Sequence, residues 1–174
     1  AEPWTAVGLD GQGQLYVEQI DHSRRGGYTV LSRFDAAKGQ PEAEPLVRVQ
    51  GFDFQGQLMF DPASGRYLGM RTEAETEFTA WADPAVKARQ AAVDALLPGR
   101  VNRLQCSRCG RDDAVYLITS YSDQDPGIHL LWPAGAAKPR LLGAVNEAID
   151  PARSATMDLH RIKARDGRDL PVWL

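Results

Sequence analysis

Phe60-Asp61-Pro62-Ala63-Ser64-Gly65-Arg66-Tyr67-Leu68-Gly69-Met70-Arg71 reads as a tight turn held between two strand-forming runs. Pro62 presets the φ that the first corner of a β-turn needs, and Gly65 tolerates the positive φ that ends it. Leu58-Met59-Phe60 before the turn and Tyr67 to Arg71 after it are rich in aromatic and large apolar residues, so the segment predicts a β-hairpin. The same grammar recurs on both sides. Trp4 to Leu9 closes on Asp10-Gly11-Gln12-Gly13, and strand-length runs follow at Leu15 to Ile20, Tyr28 to Phe34 and Leu46 to Val49. Downstream come Phe78 to Trp81, Val101 to Leu104, Val115 to Ser120, Ile128 to Trp132 and Arg140 to Leu142.

Short strands, turns about 8 to 12 residues apart and a loose recurrence of about 45 residues predict a mainly β fold. The expected architecture is a partial β-propeller of about three short antiparallel blade-like sheets with one inserted helix; a β-sandwich is the alternative. A dinucleotide-binding βαβ fold fits poorly, because strand-length runs far outnumber helix-length ones. The helix is marked by Asp83, which can accept from free first-turn N–H groups, and by Pro84, whose missing donor is not needed at the first helical position. Pro98-Gly99 ends it. Val86, Val93 and Leu97 form its predicted apolar stripe, widened by Ala85, Ala88, Ala92 and Leu96, with Lys87, Arg89 and Gln90 mainly outside it.

The 174 residues are 43% apolar and 25% charged, which supports a packed core rather than disorder. A net charge of −3 with scattered basic residues gives no pull toward nucleic acid. No apolar run reaches the ~20 residues needed to span a bilayer, so no membrane partner is expected. The chain begins Ala1-Glu2-Pro3-Trp4 without a signal-like segment or a Met, which suits a processed or trimmed form.

Several constellations invite chemistry. Cys106-Ser107-Arg108-Cys109 could share a metal or close a disulfide, but a structural zinc site needs four ligands and His22, His129 and His160 stand apart in sequence. Ordinary turn cysteines are the favoured reading, and pairing is left open. The Gly-x-Ser-x-Gly nucleophile elbow is absent, since Pro62 stands where its first glycine would be. Glu73, Glu75 and Glu77 alternate and could share a face of an extended strand, as paired acids, a cation site or a site for a peptide amino terminus. A solvated edge is the plainer reading. Asp123-Gln124-Asp125-Pro126-Gly127 lacks the full calcium-loop pattern and reads as a tight loop. No catalytic, cofactor-binding or metal-binding residue is assigned, and no cofactor is expected.

In order along the chain, Phe34-Asp35-Ala36-Ala37-Lys38-Gly39-Gln40, the Phe60 to Arg71 hairpin, the helical insert, Leu97-Pro98-Gly99-Arg100-Val101 and Ser120 to Gly127 resemble the propeller of the prolyl oligopeptidase family of serine peptidases. Ile162-Lys163-Ala164-Arg165-Asp166-Gly167-Arg168-Asp169-Leu170-Pro171-Val172-Trp173-Leu174 resembles the approach to that family's α/β-hydrolase domain, as in bacterial dipeptidyl or acylaminoacyl peptidases. The resemblance implies a partial propeller over residues 1–150, and over 151–174 a linker and the first segment of a hydrolase domain otherwise absent. It implies a non-catalytic part that gates and positions peptide substrates, with Glu73 and Glu75 as candidate substrate-facing residues. None of the family's Ser-Asp-His triad maps onto this sequence. The implied partners are that hydrolase domain, a peptide substrate and further copies of the chain, in a bacterial cytoplasm or periplasm. The alternative function is a stand-alone β-rich module that binds a peptide or protein, because exposed sheet edges can accept an added strand.

Overall fold

A computed structural model describes residues 4–23, 27–74 and 76–174. Their elements are β1 (Trp4–Leu9), β2 (Leu15–Asp21), β3 (Tyr28–Asp35), β4 (Gln40–Pro41), β5 (Gly56–Phe60), β6 (Tyr67–Glu73), β7 (Glu77–Trp81), α1 (Pro84–Leu96), β8 (Val101–Ser107), β9 (Val115–Tyr121), β10 (Ile128–Pro133), β11 (Arg140–Ala144), β12 (Leu159–Lys163) and β13 (Asp169–Trp173). Short turns leave consecutive strands no geometry but antiparallel pairing. The strands accordingly form up-and-down sheets in the orders β1-β2-β3-β4, β5-β6-β7, β11-β10-β9-β8 and β12-β13.

The expected partial propeller is therefore corrected. The strands make four separate, open antiparallel sheets plus one helix, and among the described residues no sheet closes on itself. The recurrence in the sequence reports the spacing of hairpins, which every β-meander shares, and carries no information on ring closure.

The chain divides into two compact units, Ala1–Lys87 with Ser107–Gly110, and Ala88–Cys106 with Arg111–Leu174. In the first, Tyr16, Leu31, Val49, Phe54 and Met70 form a buried cluster, with Leu58, Phe60 and Tyr67 packed against it. Each fully buried large side chain, such as Leu31 or Met70, contributes about 1.5–3 kcal/mol. Tyr16 stacks on Tyr67 with ring centroids 4.9 Å apart and meets Phe60 edge-on. Gly11 is required by contact: a Cβ there would lie 2.5 Å from the Ser64 carbonyl oxygen, and its N–H donates to the Gly65 carbonyl at 2.8 Å. Leu46 to Val49, expected as a strand, pairs only through Val47, which exchanges backbone hydrogen bonds with Leu31. Pro45 precedes the run and Gly51, at φ 82°, turns the chain after it.

In the second unit the sheet β11-β10-β9-β8 carries Leu104, Tyr116, Ile118, Leu130 and Trp132 as buried apolar residues, with Asn102 and Ser120 buried beside them on β8 and β9. Arg89 of α1 lies over two of them, 5.0 Å from the Tyr116 centroid and 4.3 Å from that of Trp132. The Gln90 amide donates to the Asn102 carbonyl, and the Asn102 amide donates to Asp94 and to the Leu97 carbonyl at the end of the helix. The helix stripe is thus narrower and more polar than expected. Val86 and Val93 are buried, whereas Ala85, Ala88, Ala92 and Leu96 are exposed. The long stems of Arg89 and Gln90 do the covering that four small or terminal apolar residues were expected to do.

Candidate docking surface

Residues 159–174 form an isolated hairpin. The Ala164 N–H donates to the Arg168 carbonyl at 2.8 Å, Gly167 turns the chain at φ 83°, and the Asp166 carboxylate accepts from the Arg168 N–H. The register pairs Leu159 with Trp173, His160 with Val172, Arg161 with Pro171, Ile162 with Leu170 and Lys163 with Asp169. Side chains alternate between faces along each strand. One face of the hairpin therefore holds Ile162, Leu170 and Val172 beside His160, and the other holds Leu159, Pro171 and Trp173 beside Arg161, Lys163 and Asp169. Ile162 and Leu170 face each other across the strands and are both exposed, by 49% and 44%. A two-stranded hairpin is marginally stable alone, so exposed apolar residues on it call for cover.

The segment leading into the hairpin is held by the loop after β9. Ser122 accepts from the Gln124 and Asp125 N–H groups, and Asp125 accepts from the Gly127 N–H. Arg100 pins the loop by donating to the Ser120 hydroxyl and carbonyl while pairing with Asp125 at 2.7 Å. These bonds hold the Asp125 carboxyl below the usual range, the Gly127 N–H contributing most and Arg100 next. The loop then grips the segment leading to β12, since Gln124 donates to the Ser154 carbonyl and Asp123 accepts from the Met157 N–H. Asp123 to Gly127 thus serves as a structural clasp.

Strand β11 adds a second apolar edge to the same unit. Its pairing with β10 shifts between His129 and Leu130, leaving Leu142 as the extra residue of a bulge. Leu141 and Leu142 are exposed, as are Val145 and Ile149 after the strand.

The residues singled out in the sequence do not gather here. Glu73 ends β6 and stands opposite Glu77 at the start of β7, and Arg71 on the same strand as Glu73 pairs with Glu77 at 3.5 Å. Glu75 lies outside the described residues. Cys106 and Cys109, whose pairing the sequence left open, form a disulfide. The favoured turn-cysteine reading is corrected, because spacing alone does not show which way two nearby thiols point. Arg108 stands between them at φ 54°, the one non-glycine residue with positive φ among those described. His129 lies 3.1 Å from the Thr119 hydroxyl, while His22 and His160 are exposed on separate segments. Among the described residues no group of three or more His, Cys, Asp or Glu could hold a metal ion.

One polar node escaped the sequence reading. Asp61, buried in the first unit, accepts from the Ser64 hydroxyl at 2.7 Å and from the N–H groups of Ala63 and Cys109 at 3.4 and 3.5 Å. Burial opposes the charge, but these donors outweigh it and hold the carboxyl below the usual range. Arg66 donates to the Cys109 carbonyl and pairs with Asp83, which caps α1 by accepting from the Val86 N–H at 2.9 Å. Burial likewise opposes ionisation of Asp83, and the Val86 N–H and Arg66 overcome it. The signal was present in Asp61-Pro62-Ala63-Ser64, where an Asp three residues before a Ser can close a side-chain turn.

No protein family, curated protein or solved structure matches the chain. The resemblance to prolyl oligopeptidases, and with it the gating role and the serine-peptidase class, is corrected on that finding together with the four open sheets. Its most diagnostic passage, Arg165-Asp166-Gly167, is the turn of the β12–β13 hairpin. Asp-Gly turns of this kind occur in β-hairpins of any fold.

Proposed function

We propose that this chain is a β-rich binding module whose ligand is a peptide or an extended segment of another protein, docking on the β12–β13 hairpin. One observation carries the reading. Of the fourteen large apolar side chains exposed among the described residues, nine lie between Leu141 and Leu174. Scattered exposed apolar residues are ordinary, whereas Ile162 and Leu170, cross-strand partners on a two-stranded hairpin, are adjacent and both exposed. Strand addition suits such a surface, because backbone hydrogen bonds supply affinity and alternate side chains supply selectivity.

Panning a displayed peptide library against the purified chain tests the proposal. The expected result is a set of ligands whose affinity falls about tenfold or more when Ile162→Lys and Leu170→Lys are combined, a loss of at least ~1.4 kcal/mol. A library that returns only ligands indifferent to those substitutions sinks the reading.

A further inference from the structure

We infer that the Cys106–Cys109 disulfide is a thiol–disulfide exchange site coupled to the cap of α1, so that its reduction by a dithiol loosens the start of the helix.

The coupling runs through one guanidinium. Arg66 donates from Nη2 to the Cys109 carbonyl at 3.2 Å, and its Nη1 pairs with the Asp83 carboxylate. Asp83 in turn accepts from the Val86 N–H at 2.9 Å, in the first turn of α1, where N–H groups have no partner within the helix. On the other side the Cys109 and Arg108 N–H groups donate to the Asp61 carboxylate. Gly110 adds a steric tie, since a Cβ there would stand 3.5 Å from the Ala85 Cβ and 3.6 Å from an Asp83 carboxylate oxygen. The backbone at Cys109 is therefore held by its carbonyl, by its N–H and by the residue that follows. Its position and the geometry of the cap are set together.

The ring that contains Cys109 can be opened. It spans only four residues, and so short a loop returns little chain entropy when it closes. Arg108 within it holds φ 54°, a left-handed conformation that a residue with a Cβ adopts at a cost. Cys106 is partly exposed and Ser107 and Arg108 are exposed, whereas Cys109 is 2% exposed, so attack falls on Cys106. A thiolate of the dithiol bonds to the Cys106 sulfur, the S–S bond breaks, and the Cys109 thiolate leaves and takes up a proton. The second thiol of the reductant then displaces Cys106, which also takes up a proton, and closes a disulfide within the reductant. The protein gains the pair of electrons that the dithiol loses. Arg108 is then free to leave the left-handed region, and the Cys109 backbone gripped by Arg66 and Asp61 shifts with it.

The test compares the intact chain oxidised and after reduction with dithiothreitol, following amide exchange at Val86 and Leu31 and counting thiols by alkylation. Reduction is expected to speed Val86 exchange about tenfold while Leu31 stays protected. A disulfide that constrained only the unfolded chain would leave Val86 unchanged, because a first-turn amide exchanges by local opening. Arg66→Ala breaks the relay. In that variant Val86 should exchange faster already in the oxidised chain, and reduction should add less than about twofold. By reciprocity, the same variant should move the equilibrium with dithiothreitol toward the protein thiols by about tenfold, or roughly 30 mV. Combined Cys106→Ser and Cys109→Ser should reproduce the Val86 rate of the reduced chain without any reductant. Val86 exchange that reduction leaves within about twofold of the oxidised rate overturns the inference, as does an equilibrium that Arg66→Ala does not move. So does a disulfide that dithiothreitol opens only when Leu31 loses its protection, since the bond is then a staple of the folded unit and no exchange site.

Discussion

Asp61→Ala is expected to destabilise the first unit by about 2–3 kcal/mol. The carboxylate is 4% exposed and accepts from the Ser64 hydroxyl at 2.7 Å, with the Arg108 N–H a further donor. A hydrogen bond to a charged acceptor is worth about 1.5–3 kcal/mol. The N–H groups of Ala63 and Cys109, at 3.4 and 3.5 Å, stand at the outer limit of hydrogen bonding and each add less than a full bond. The assay is native-state exchange of the Leu31 amide, which donates to Val47 from a fully buried residue of the same unit. A loss of 2–3 kcal/mol should accelerate it by about 30- to 150-fold. The pH dependence has a definite sign. The folded carboxyl lies below its ordinary 3.8, so its stabilisation is fully present above 3.8 and is lost as pH falls through the lower folded value. The gap between wild type and variant should therefore narrow in acid. Ser64→Ala should account for only part of the effect, because the backbone donors remain. If Asp61→Ala and Asp61→Asn both left Leu31 exchange within about twofold of wild type, the node would be incidental to stability.

Three further perturbations probe other parts of the chain. The disulfide closes a loop of only four residues, so combined Cys106→Ser and Cys109→Ser should cost about 2 kcal/mol by loop entropy. Dithiothreitol should lower the urea midpoint of the wild type similarly and leave the double variant unmoved; an unmoved wild type contradicts the pairing. Arg89→Ala strips a partly buried guanidinium from two rings and should cost about 2 kcal/mol, with Trp132 emission moving to the red. Unchanged emission and thermal midpoint would count against that packing. Arg100→Ala should loosen the clasp before the hairpin and speed exchange at Gly127 and Met157 by about tenfold, and normal protection at both would show that Arg100 does not hold the loop.

The hairpin at Phe60–Arg71 and the helix start at Asp83-Pro84 were legible because their signals are local. Pro62, Gly65 and Pro84 restrict or free a single φ, and Asp83 reaches a donor three residues away. The Leu46 to Val49 run failed as a strand for a non-local reason, since a ladder needs a partner along its length and only Leu31 meets Val47. The candidate site was harder to see. Acids and thiols stand out in a sequence, whereas the proposed docking surface is made of ordinary apolar residues whose exposure no pattern of spacing reveals. Family likeness misled for a related reason: Asp-Gly turns in order along a chain are what any succession of hairpins provides.

By itself the sequence determined strands, turns and helix caps, together with a charge balance that left no basic stripe, because backbone preference and formal charge act within a few residues. The tertiary structure decided that the hairpins form four open sheets, that Cys106 meets Cys109 and that Asp61 gathers its donors. It also decided which backbone groups of the last hairpin point outward. Pro171 is visible in the sequence, yet only the register of β12 on β13 directs its missing N–H outward, and register is set by pairing between residues distant along the chain.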